Sequence, residues 1–144
     1  MMDWAKECKL GLTALMAGLT ALWGWFGWLI ILWLGCLILD YITGSLAAAK
    51  EGCWNSRRAR EGIWQKVGCM AAVMVAAAAD LLLGTVAANI PNMDLEYGTL
   101  LCPLVVVWYT LTELGSAIEN AVKLGAPVPE FLRRTLDLLK KDQE

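Results

Sequence analysis

Asp40, Asp80, Glu113 and Glu119 lie within stretches of Leu, Ile, Val and Ala, and carboxylates in such a setting have two main uses. They line a watery path for protons or cations, or they make hydrogen bonds between helices. Acid–base work on a substrate is disfavoured, because the chain has no His, the commonest general base and metal ligand. The five Cys (Cys8, Cys36, Cys53, Cys69, Cys102) contain no CxxC pair, and three of them stand in apolar runs, as small buried hydrophobes do. The sequence predicts no enzyme, no cofactor and neither a zinc site nor a disulfide framework.

The elements that must hold these acids are marked out by where charge is missing. Hydrophobic residues make up 58% of the 144 and charged ones 18%, too apolar a balance for a soluble globule or a disordered chain. A net charge of −2 gives no footprint for nucleic acid. The 30 residues from Leu10 to Leu39 are uncharged, and as helix they would extend about 45 Å, more than the roughly 30 Å of a bilayer core. The run breaks at Trp23-Gly24-Trp25-Phe26-Gly27-Trp28, where two glycines loosen a helix and Trp suits the headgroup level. It is too long for a signal peptide and lacks a small-residue cleavage site. Residues 3–22 therefore read as one helix and 26–48 as a span, followed by spans over 63–88 and 97–121 on either side of an Asn89-Ile90-Pro91-Asn92 turn. Glu130 to Lys141 sets Phe131, Leu132, Leu136 and Leu139 among Arg and Lys, an amphipathic pattern suited to a membrane surface or a partner. The expected fold is an all-α integral membrane protein with about three transmembrane helices, an N-terminal small-residue helix and a C-terminal amphipathic helix. Residues 1–126 form its membrane domain and 127–144 its cytoplasmic tail.

Orientation follows from Lys and Arg in short loops. The segment 49–66, read as a loop, carries Lys50, Arg57, Arg58, Arg60 and Lys66, residues 89–96 carry no basic residue, and the C-terminal stretch 122–144 again carries five. This predicts the N-terminus outside, the first loop cytoplasmic, the second outside and the tail cytoplasmic. An acid at a helix centre costs about 2.5–3.5 kcal/mol, whereas each large aliphatic residue returns about 0.3–0.6. By that balance the first span carries Asp40 unaided, while the Ala-rich second span is marginal with Asp80. Replacing Asp80 by Leu is accordingly expected to favour insertion.

Helical spacing groups Cys36, Asp40, Thr43, Gly44 and Ala47 on one face of the first span and Tyr109, Glu113, Ser116, Asn120 and Lys123 on one face of the third. Such faces turn inward or toward water, so two readings stay open: a water-lined or oligomer-lined surface, or hydrogen bonds that fix a monomer. In the N-terminal helix, Gly11-Leu12-Thr13-Ala14-Leu15 recurs as Gly18-Leu19-Thr20-Ala21-Leu22. The repeat puts Gly11, Ala14, Gly18 and Ala21 on one stripe, an expected oligomer contact.

Leu39-Asp40-Tyr41-Ile42-Thr43-Gly44, then Gly52, Ser56, Gly62 and Lys66, then Glu113-Leu114-Gly115-Ser116-Ala117-Ile118-Glu119-Asn120 and Gly125-Ala126-Pro127-Val128-Pro129, resemble the phage holins of Gram-positive hosts that are grouped with clostridial toxin-secretion holins. The resemblance covers about residues 39–132, and Thr112 stands where Asn would be expected. It implies a homo-oligomer of the bacterial cytoplasmic membrane that opens lesions at a set time. These release an endolysin, or in some relatives a toxin, with lipid as the surrounding partner and no direct binding to the endolysin. Asp40, Thr43, Gly44, Asp80, Glu113, Ser116, Glu119 and Asn120 are then the packing or pore-lining residues. A small ion channel or transporter subunit, and a membrane scaffold that binds a cytoplasmic partner, are the alternatives.

Overall fold

The computed structural model describes residues 6–11, 13–14, 17–18, 24, 26–90 and 98–141, with residues 136–141 described by backbone alone. Ahead of the first long helix Gly24 takes φ +56°, and Gly27 donates its N–H to the Gly24 carbonyl at 3.2 Å. A left-handed φ suits glycine, and it breaks the chain within the Trp-rich segment, where the sequence placed the break. The first long helix, α1 (Phe26–Lys50), then runs for about 37 Å at 1.5 Å per residue. It stops in a Schellman turn: Gly52 at φ +68° donates to Ala49 O (3.1 Å) and Cys53 to Ala48 O (3.0 Å), which occupies carbonyls that a helix end leaves bare.

The second long helix, α2 (Ser56–Asn89), begins seven residues before the expected span. Arg57, Arg58, Arg60 and Lys66 therefore lie on a helix, and the loop is only 51–55. Two local contacts explain the early start. Asn55 Oδ1 accepts from Arg57 N at 2.8 Å as an N-cap, and Arg57 pairs with Glu61 one turn on at 3.1 Å.

The third, α3 (Leu101–Leu124), starts later than the expected 97, since Gly98–Leu100 are not helical. Pro103 occupies its first turn, where a missing N–H is tolerated. A second Schellman turn ends it: Gly125 at φ +92° donates to Val122 O (2.9 Å) and Ala126 to Ala121 O (3.0 Å). Pro127 follows, as is common after such a cap. The short α4 (Glu130–Lys141) comes next, with Arg134 reaching back to Glu130 at 2.6 Å.

All three long helices are long and apolar enough to cross a membrane. α1 and α3 run in the same direction, since Lys50 at the end of α1 reaches the carbonyls of Lys123 (3.3 Å) and Leu124 (2.7 Å) at the end of α3; α2 runs antiparallel to both. α3 is the hub: α1 packs along it most extensively and α2 less so, while α1 and α2 scarcely touch. The buried core is accordingly small. Phe26, Trp33, Leu37, Val73, Ala76, Cys102 and Val106 form it, with Trp33 stacked on Tyr109 at 6.3 Å between ring centroids. Outward stand Leu32, Ile38, Ile42 and Leu46 on α1, Met74, Leu81 and Leu82 on α2, and Leu104 and Trp108 on α3. Water would tolerate so large an apolar exterior poorly; lipid accepts it. Hydroxyls within the helices bond to their own backbone one turn back, as Thr43 does to Leu39 O, Thr110 to Val106 O and Thr85 to Leu81 O, which leaves no bare polar group facing hydrocarbon at those positions.

Candidate functional site

Two polar layers interrupt this apolar bundle. The first joins all three long helices near the end where the basic residues gather. Lys66 of α2 places its ammonium 2.9 Å from Asp40 Oδ2 of α1 and 2.5 Å from Glu113 Oε2 of α3. The other Asp40 oxygen accepts from Asn120 Nδ2 at 3.0 Å, and the same amide nitrogen lies 3.3 Å from Thr43 Oγ1. All three charged side chains are less than one-fifth exposed. Gly44 is what lets Asn120 in: a Cβ there would stand 3.3 Å from Asn120 Nδ2. The face read on the first span and the face read on the third thus meet each other inside one chain, with Cys36, Ala47 and Ala117 buried along the seam.

This layer is a closed electrostatic unit, not a reactive centre. One ammonium is shared by two carboxylates, and an amide completes the shell of one of them. Charges this sheltered from water persist only when paired and hydrogen-bonded. Removing one partner from such a group typically costs about 3–5 kcal/mol, because the others are left uncompensated.

The second layer lies 14 residues further along α2, about 21 Å away by helix rise. Asp80 turns both carboxylate oxygens onto the start of α3, where Oδ1 accepts from Leu100 N (3.2 Å) and Leu101 N (2.9 Å), and Oδ2 from Cys102 N (2.7 Å). Pro103 has no N–H, and Leu104 N bonds to Leu100 O at 3.3 Å. One side chain from a neighbouring helix thereby satisfies the backbone donors that a helix start otherwise leaves open, beside the positive end of the helix dipole. The balance for Asp80→Leu drawn from the sequence acquires an opposing contribution on this account: the insertion gain is set against three orphaned N–H groups.

Of the remaining expected site residues, Ser116 and Glu119 line a cleft at the basic end, together with Asp40, Gly44, Lys66 and Asn120. Gly11, Ala14 and Gly18 are helical and exposed, and a Cβ on Gly11 or Gly18 would touch nothing within 4 Å. Ala21 lies outside the described residues. Among the basic set, Lys50 caps α3, Arg57 pairs with Glu61, Arg58 faces the cleft, and Arg60 is exposed. Sequence reasoning grouped Lys66 with the loop charges and so missed its two acids. The usable signal was that Lys66 is the last base before 56 residues without another, at the mouth of an apolar run, where an ion is expected to find a partner. The backbone cap by Asp80 had a weaker signal: Leu100 and Leu101 open α3 with no capping side chain of their own.

The sequence profile of the bacteriophage holin family matches residues 17–141. An uncharacterized protein of Halalkalibacterium halodurans is 33% identical over 135 residues, covering 94% of this chain and 95% of its own length. Another, from Clostridium perfringens, is 31% identical over 131 residues, covering 91% and 89%. One from Listeria monocytogenes is 32% identical over 100 residues, 69% of this chain and 63% of the relative. No solved structure matches the chain. The matched region takes in all three apolar helices and both polar layers, so the chain belongs to the bacteriophage holin family, as a multi-pass protein of the bacterial cytoplasmic membrane.

Proposed function

We propose that this chain works as a holin: it accumulates in the cytoplasmic membrane, oligomerises, and opens lesions that release an endolysin, or a toxin, and so time the lysis of the cell. The observation that carries this reading is the Asp40–Lys66–Glu113–Asn120 layer. Each of its groups sits on a different span or a different turn, and its Lys66–Asp40 ion pair ties together α1 and α2, which otherwise pack on each other little. Within one chain the layer holds three apolar helices together as a tolerable membrane guest. If the helices exchange partners with other copies, the same side chains pair between subunits or face water, and a polar surface opens without any new chemistry. The exposed stripe of Gly11, Ala14 and Gly18 supports close approach of neighbouring copies. In this reading the basic end and α4 face the cytoplasm, from the distribution of Lys and Arg.

Inducing the chain in a bacterium that holds a cytoplasmic endolysin tests this. Expected is abrupt loss of enzyme from the cytoplasm followed by lysis. Escape of ions alone would mark an ion channel, and no escape at all would leave a scaffold. Labelling of Cys53 by an impermeant thiol reagent in intact cells before lysis would overturn the orientation.

A further inference from the structure

The cleft at the basic end, about 340 Å³ in volume, is walled by Tyr41 and Ser45 of α1, Trp54 and Asn55 of the 51–55 loop, and Arg58 and Gly62 of α2. We infer that it seats the phosphodiester of a membrane phospholipid, with Arg58 as the anion-binding group. The charges around it single out that class of ligand. Lys66 also borders the cleft, but its ammonium is committed to Asp40 and Glu113. Arg58 forms no ion pair among the described residues, which leaves one guanidinium, a fork suited to phosphate oxygens.

A single such cation matches a single negative charge. The ion cluster that borders the cleft sets two carboxylates, Asp40 and Glu113, against one ammonium, and that excess of negative charge disfavours inorganic phosphate, phosphate monoesters and polyphosphates more than a singly charged diester. The amide of Asn55 and the hydroxyl of Tyr41 add donors, since Asn55 uses its Oδ1 for Arg57 N and keeps its NH₂.

The surroundings favour a lipid over a soluble diester. Trp54 is 56% and Tyr41 37% exposed, and both are side chains that prefer the headgroup level of a bilayer. The two helices that wall the cleft also carry exposed apolar residues next in sequence to its lining, Ile42 and Leu46 on α1 and Ile63 on α2, a surface on which acyl chains lie. Gly62 keeps the space open: a Cβ built there meets nothing within 4 Å, so a larger side chain at that position would fill the cleft without a clash.

The test uses the full chain purified in mild detergent, with native mass spectrometry to count bound phosphatidylglycerol or phosphatidylethanolamine. Arg58→Gln should lower the lipid-bound fraction about tenfold, the range of a lost charged hydrogen bond, and Gly62→Leu should lower it comparably by occupying the space. Arg57→Gln removes the same charge one residue away from a side chain held by Glu61, and should leave binding unchanged. Glycerophosphoglycerol and inorganic phosphate should fail to displace the lipid. Equal losses in the Arg57 and Arg58 variants would show diffuse surface attraction and overturn the site. So would full lipid retention by Gly62→Leu, or displacement by either soluble anion.

Discussion

Asp40 and Asp80 are the same side chain set in two apolar helices, and they are held in opposite ways. Asp40 is answered by side chains, the ammonium of Lys66 and the amide of Asn120. Asp80 is answered by backbone, the three N–H groups that open α3. The distinction matters for a protein that must first sit quietly and later rearrange. Side-chain partners can be supplied by another copy of the chain, since any Lys66 pairs equally well with any Asp40. A backbone cap is tied to the existence of α3 itself, and giving it up means leaving donors bare in a medium that offers no replacement. The Asp80 layer is therefore the part of the fold expected to survive assembly, and the Lys66 layer the part expected to exchange.

The largest effect should come from breaking the backbone cap. Each unsatisfied buried N–H costs about 1–3 kcal/mol, so Asp80→Leu should destabilise the start of α3 by several kcal/mol despite the insertion gain of about 3 kcal/mol. Hydrogen exchange at Leu101 and Cys102 checks this: protection there should collapse in Asp80→Leu and be partly kept in Asp80→Asn, whose amide retains one acceptor. Unchanged protection in Asp80→Leu would mean that the three bonds contribute little.

Next in size is the side-chain layer. Lys66→Met strands two carboxylates and should cost about 3–5 kcal/mol in thermal unfolding from detergent. Neutralising the acids together, as Asp40→Asn, Lys66→Met, Glu113→Gln, should restore most of that loss, since replacing a buried charge cluster entirely is often close to neutral. If the layer holds the helices until they exchange, the triple variant should fold yet lyse at a changed time. The Asp80 variants should instead fail to accumulate. A triple variant that lyses on schedule would remove the layer from the timing mechanism.

What was legible beforehand divides along the same line. The three apolar runs, the break at Gly24 and the separate polar faces of α1 and α3 follow from local pattern, because helical spacing and hydropathy are properties of neighbouring residues; that the two faces meet each other within one chain does not. The pairings were not legible. Lys66 lies 26 residues from Asp40 and 47 from Glu113, and Asp80 lies about 20 from the N–H groups it caps, so only the tertiary arrangement selects those partners. The start of α2 was misplaced for a related reason: hydropathy marks the bilayer, whereas the Asn55 cap and the Arg57–Glu61 pair carry the helix on beyond it. The cleft between α1 and α2 follows from how little those helices touch, which hydropathy does not encode.

The smallest expected effect sharpens the comparison by leaving every charge in place. Gly44→Ala puts a methyl 3.3 Å from Asn120 Nδ2, close enough that the amide must move by a few tenths of an ångström. Alanine is favoured over glycine within a helix by about 1 kcal/mol, a gain of the same order as the loss from a strained neutral hydrogen bond. Thermal stability should therefore stay within about 1 kcal/mol of the parent, a net effect of the size usual for a mild substitution. Gly44→Leu has no such balance, because the longer side chain displaces Asn120 from Asp40 and wedges α1 from α3. Cysteine crosslinking across the α1–α3 seam reads the difference, with near-normal yield expected for the alanine variant and a clear drop for leucine. Equal yields in the two would mean that Asn120 is not seated against Gly44 in the membrane, and that Lys66 alone answers Asp40.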